Sequence, residues 1–160
     1  MTERSAAELL EMIRGAVRDQ VQDAPVLTAA INATDNPEVY RELGMMLACE
    51  PPSVRIFAAA AFGDAGNPEV LEALDPLLSD AHPVVRLHAV TAVAEHGAVD
   101  DMVPLLASLI ANDPSAQVRL LAVHALFIVR DNPQAATVLA QASADPDPDV
   151  RAAARRMLAK

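Results

Sequence analysis

Four of the six Val-Arg pairs in the chain, Val54-Arg55, Val85-Arg86, Val118-Arg119 and Val150-Arg151, recur at spacings of 31, 33 and 32 residues. A period of that length constrains the fold more than any single motif does. One such unit cannot bury its apolar face alone and must stack on its neighbours. A second marker keeps the same register: Pro37, Pro68 and Pro133 each stand 17 residues ahead of the corresponding valine, in DNPEV, GNPEV and DNPQA, and Asp100-Asp101 holds that place in the third unit.

Each unit reads as two helices. Asn36, Asn67 and Asn132 have the chemistry of N-caps, and the proline after each suits the first helical position, where a missing N–H costs nothing. First helices are expected through EVYRELGMMLAC, EVLEALDPLLSD, MVPLLASLIAN and QAATVLAQASA, each ending in a turn with Pro and Asp, and Pro76 is expected to bend the second of them. The other helix of each unit begins near Val-Arg. Three residues after the arginine stands an alanine every time (Ala58, Ala89, Ala122, Ala154), six after it Ala61, Ala92, Ala125 or Met157, and seven after it Phe62, Val93, Leu126 or Leu158. With the valine these positions share one face at the helical period. Upstream, an amphipathic helix over residues 4–21 and a shortened partner over 25–34 form a degenerate N-terminal cap.

Composition agrees with helices and narrows the function. Apolar residues make up 52% of the 160, but aromatics only 2%, with no Trp and one Tyr, which favours close-packed helices over a sheet. The net charge of -10 argues against nucleic acid, which calls for a basic face, and against an anionic membrane surface. No run reaches the roughly 20 apolar residues of a membrane span. The N-terminal segment, with Glu3, Glu8 and Glu11, lacks the apolar core of a secretory signal. A single cysteine, Cys49, allows no internal disulfide and fits a reducing cytosol. Lys160 is the only lysine among the basic residues, which we take as the codon bias of a GC-rich bacterial genome. The expected localisation is cytoplasmic.

Helical pairs of this length with VR..A..A(L/V/F) in the second helix resemble HEAT-like repeats, in particular the short kind of phycobilisome bilin lyases. The resemblance covers about residues 36 to 160. It implies an all-α fold: a right-handed α-solenoid of about five helical hairpins, one domain over 1–160, with a cap over 1–35 and repeats at about 36–66, 67–99, 100–131 and 132–160. It also implies that Asp80, Asp113 and Asp145, each six residues before Arg86, Arg119 and Arg151, join those arginines in a ladder tying neighbouring repeats together. Arg55 departs from the pattern, with Cys49 at the matching place.

The chemical candidates are weak. His82, His88, His96 and His124 have no cysteine beside them and no converging third ligand; His88 and His124 could share a face, but hardly a tight coordination shell. The iron-binding HEAT-type hydroxylases use His-Glu pairs, and this chain has only the reversed Glu95-His96. Cys49, near a helix end where the dipole opposes a thiolate, is expected to be a small buried hydrophobe. The serines fall where caps are needed, and Gly63-Asp64-Ala65-Gly66 suits a helix-ending turn rather than a phosphate loop. No catalytic residue, metal or cofactor is expected, and the chain is not expected to be an enzyme.

What remains is surface. Positions one, two and five after each arginine point away from the framework face, and in HEAT-like arrays the second helices line the concave side. These positions include Ile56, Phe57, Leu87, His88, Thr91, Leu120, Leu121, His124 and Arg156, together with Ala60, Ala152 and Ala153. So apolar a strip marks a contact with another protein. The expected function is that of a scaffold, adaptor, assembly factor or regulatory subunit holding a protein partner on this face, or a homodimer formed through it. The rival expectation is a bilin-lyase-like enzyme or subunit acting on a chromophore-protein thioether bond.

Overall fold

The computed structural model describes residues 4–20, 25–96 and 99–159, the side chains of 99 and 100 excepted. Glu3, Lys160 and the Asp100 side chain lie outside these. The described residues form ten α-helices, no strand, and two short 3-10 turns. They are α1 (Ala6–Arg18), α2 (Pro25–Asn32), α3 (Pro37–Leu47), α4 (Pro52–Gly63), α5 (Leu71–Leu78), α6 (Pro83–His96), α7 (Val99–Asn112), α8 (Ala116–Leu126), α9 (Pro133–Ala142) and α10 (Pro148–Leu158).

The caps explain where helices begin. Asn36, Asn67 and Asn132 accept from the backbone N–H two residues on, at 3.0, 3.0 and 2.9 Å, each with proline at the next position. Among second helices, α8 is capped by Ser115, α10 by Asp147, and the N–H of Val84 in α6 donates to His82 Nδ1 at 3.3 Å. Ser5 and Glu8 form a reciprocal capping box on α1. The first helix of the second repeat opens as a 3-10 turn over Pro68–Val70 before α5, and Pro76 lies inside α5, which ends two residues later. In the third repeat α7 starts at Val99, so Asp101 falls in the helix rather than ahead of it.

The chain divides into two compact units, Met1–Glu95 and His96–Lys160. In the first, α1 packs on α3 and α4, and α3 lies along α5. Its core holds Leu9, Ile13, Leu43, Phe62, Leu74 and Leu77, all at most 1% exposed. Gly44 sets the spacing of α3 on α5: a Cβ there would stand 2.9 Å from Pro76 Cγ and 3.1 Å from Ala73 Cα. In the second unit α7 packs on α8 and α9, and α10 on both α8 and α9, around Leu106, Val123, Leu126 and Leu139.

The framework face is wider than its periodicity indicates. Besides the valine and the alanine three after the arginine, the fourth position is fully buried as Ala59, Val90 and Val123. In α10 that position is the exposed Arg155. This arrangement of stacked helical hairpins is the all-α solenoid class.

Candidate functional site

The arginines make the most regular polar feature, and two of them, Arg55 and Arg119, span successive hairpins. Arg119 on α8 donates through Nε and Nη2 to Asp145 Oδ2 and Oδ1 at 2.9 and 3.0 Å, and through Nη1 to the carbonyl of Asp113 at 2.8 Å. Arg151 donates in the same way to the carbonyl of Asp145, and Arg86 to that of Asp80. An arginine therefore takes the backbone carbonyl, not the carboxylate, of the aspartate six residues before it. The carboxylates of Asp80 and Asp145 go instead to Arg55 and Arg119 of the preceding repeat.

That division corrects the doubt over Arg55. Although Cys49 replaces the aspartate behind it, Arg55 donates to the Glu50 carbonyl and reaches forward to Asp80, with Nη2 2.8 Å from Oδ1 and Nε 2.6 Å from Oδ2. The Nε contact is an ion pair without hydrogen-bond alignment, so this rung is geometrically poorer than that of Arg119. The acceptor is the carbonyl of Glu50, so the backbone half of this rung needs no aspartate at position 49. Cys49 itself is exposed, against the expectation of burial. It lies just beyond the end of α3.

Burial raises the affinity of both ladder carboxyls for a proton, but their partners outweigh it. Arg55 and the His82 N–H hold Asp80 below its ordinary range, and Arg119 and the Asp147 N–H do the same for Asp145. These are structural ion pairs, and the lowered carboxyls here mark a ladder rather than a reaction centre.

A second polar cluster, inside the first unit, escapes sequence reasoning. The Asn67 amide Nδ2 lies 2.8 Å from the Ile31 carbonyl, 2.6 Å from that of Thr34 and 3.1 Å from Tyr40 Oη, while the Tyr40 hydroxyl donates to Ile31 O at 2.6 Å. One asparagine thus caps a helix and ties the preceding turn. Its capping role is legible in GNPEV, its burial is not. Burial, first among the causes, pushes the Tyr40 hydroxyl up to about 12.

The positions expected to contact a partner fall as follows. In the first unit Ile56 and Phe57 on α4, and Leu87, His88 and Thr91 on α6, are half-buried. The Thr91 hydroxyl donates to the Leu87 carbonyl at 3.0 Å. In the second unit Leu120 and Leu121 on α8 are half-buried, and His124 and Arg156 are exposed. Ala153 is buried, so the second position leaves the open set in α10. His82 is a capping residue. Among the described residues no group of three or more His, Cys, Asp or Glu could hold a metal ion, and no helix is long and apolar enough to cross a membrane.

Stacked hairpins tied by arginine rungs define a helical-repeat protein. The chain matches the HEAT repeats family over residues 41–126 and again over 77–159, and it belongs to that family. The match is to HEAT repeats in general and does not extend to the bilin-lyase type. No curated protein matches the sequence.

Proposed function

We propose that the protein is a non-catalytic interaction module, an adaptor, assembly factor or regulatory subunit that holds a partner protein against the open positions of its second helices. One observation supports this above others. The two positions after the ladder arginine carry Ile56 and Phe57, Leu87 and His88, and Leu120 and Leu121, yet none of these is sealed in the core. Large apolar side chains left half-open on a rigid helical frame favour docking, since a preformed surface loses little entropy on binding. Phe57 and Leu121 are the anchors, because aromatic and leucine side chains deliver most contact area. His88, Thr91, His124 and Arg156 supply the polar surround.

The test is affinity capture with the full chain, its Phe57→Asp and Leu121→Asp variants and a Thr137→Asp control on the exposed part of α9, with circular dichroism to verify folding. Loss of the same captured proteins in both variants, and retention in the control, is the expected result. Capture unchanged by Phe57→Asp and Leu121→Asp, with folding intact, rejects this role. A second copy of the chain as the captured protein would make the module a homodimer.

A further inference from the structure

The turns ahead of the second helices repeat one arrangement. Two residues after each ladder aspartate a backbone N–H donates to that aspartate's Oδ1 at 2.8 Å: His82 to Asp80, Ser115 to Asp113 and Asp147 to Asp145. The same residue then turns its side chain to the helix it introduces. Ser115 Oγ accepts from the Val118 N–H at 3.4 Å, and Asp147 Oδ1 accepts from those of Asp149 and Val150 at 2.9 and 3.2 Å. Pro51, at the equivalent place before α4, makes no side-chain cap. For α6 the acceptor is the imidazole of His82, whose Nδ1 takes the Val84 N–H at 3.3 Å.

A serine hydroxyl caps at any pH, and an aspartate does so throughout the neutral range. An imidazole caps only while it is neutral, because protonation turns Nδ1 from an acceptor into a second donor aimed at the Val84 N–H. Imidazole is the side-chain type that makes this change in the range of about pH 5 to 8.

The charges around His82 offer the imidazolium little in exchange. On its own turn Asp80 has both carboxylate oxygens engaged: Oδ1 takes the His82 N–H and Arg55 Nη2, and Oδ2 lies 2.6 Å from Arg55 Nε. From α4 comes Arg55 itself, and from α6 comes Arg86, whose Nη1 donates to the carbonyls of Asp80 and Ala81 at 2.6 and 3.2 Å. Two guanidinium groups and the positive end of α6 oppose a third cation here, and Asp80 alone favours it.

We propose that His82 is a proton-sensitive cap, which on acidification through the imidazole range releases the Val84 N–H and frays the first turn of α6 beside the Arg55–Asp80 rung. The neutral ring is the capping form, so the stability it adds is present above that range and lost as pH falls through it. Asp80, held below the ordinary carboxylate range by Arg55 and the His82 N–H, keeps its charge throughout. The loosening of α6 is therefore separate from the loss of the ladder itself.

Thermal melts of the full chain, His82→Asn and His82→Ala at about pH 7.5 and about pH 5.5 test it, with His88, His96 and His124 common to all three. Asparagine is a cap that does not titrate. On acidification the parent midpoint should fall by about 2 °C or more beyond that of His82→Asn. The midpoint of His82→Ala should already be low at the higher pH and show no such extra fall. Nitrogen NMR of the ring gives a local reading: at the higher pH the proton should sit on Nε2, leaving Nδ1 to accept. An equal pH response in the parent and His82→Asn, a parent midpoint that rises on acidification relative to His82→Asn, or a proton on Nδ1 at the higher pH, each overturns the proposal.

Discussion

Arg55 and Asp80 form an ion pair across two successive hairpins, 2.6 Å at its shortest, with side chains 12% and 8% exposed. The arginine has no aspartate behind it and still occupies its rung, because its Nη1 finds the Glu50 carbonyl instead. Removing one partner leaves the other charge in a poorly hydrated place. Arg55→Ala and Asp80→Ala should each destabilise the fold by about 3 kcal/mol, and the double variant by clearly less than their sum. Denaturant titration of the four proteins measures the coupling. Additive effects would show that the pair contributes nothing beyond packing.

Acid should loosen the fold in a defined window. Asp80 and Asp145 are held below their ordinary range in the folded chain, so the unfolded state takes up protons first as pH falls. The stability they add is fully present above the unfolded carboxylate value of about 3.9 and is lost as pH falls below it, through the folded values. Midpoints measured between pH 7 and pH 2 should fall steeply below pH 4, and less steeply in an Asp80→Asn, Asp145→Asn variant relative to its own value at pH 7. Equal slopes would exclude the two carboxyls as the cause.

The single tyrosine reports the buried cluster around Asn67. Tyr40 is fully buried with its hydroxyl raised to about 12. A raised value means that the folded chain keeps this proton longer than the unfolded one. The associated stability is present below about pH 10 and lost as pH rises from there toward 12. Phenolate absorbance should therefore appear near pH 12 or together with unfolding. Ionisation near pH 10 with helicity intact would contradict the burial.

Two glycines should respond to alanine with opposite signs. At Gly44 the new methyl would meet Pro76 Cγ at 2.9 Å and the Ala73 backbone at 3.1 Å, neither of which yields without moving α5. Gly44→Ala should destabilise by about 1–3 kcal/mol. At Gly15 the nearest atom is the mobile Arg18 Nη2 at 3.7 Å, so Gly15→Ala should gain up to about 1 kcal/mol of helix propensity. Thermal melts of both variants decide; a stabilised Gly44→Ala would mean that α3 and α5 part easily.

Cys49 should be reactive and dispensable. It is exposed, so a thiol reagent should label it stoichiometrically in the native state without denaturant. Cys49→Ser should shift stability by no more than about 0.5 kcal/mol. Labelling only after unfolding would restore the buried assignment.

Much of this molecule is determined by local chemistry. Asn-Pro at helix starts, Pro-Asp turns at helix ends and the Val-Arg period act over a few residues, so the sequence by itself determined the hairpins, their number and the family to which they belong. The small residue three after each arginine was legible for the same reason: the helical period fixes which side chains share a face. Only the tertiary structure decided which aspartate each arginine grips, because that depends on the offset of one hairpin on the next. The same offset buries the fourth framework position at Ala59, Val90 and Val123, seals Asn67 over Tyr40 and leaves Cys49 in the open. Distances between hairpins are set by packing, and no periodicity within a helix encodes them.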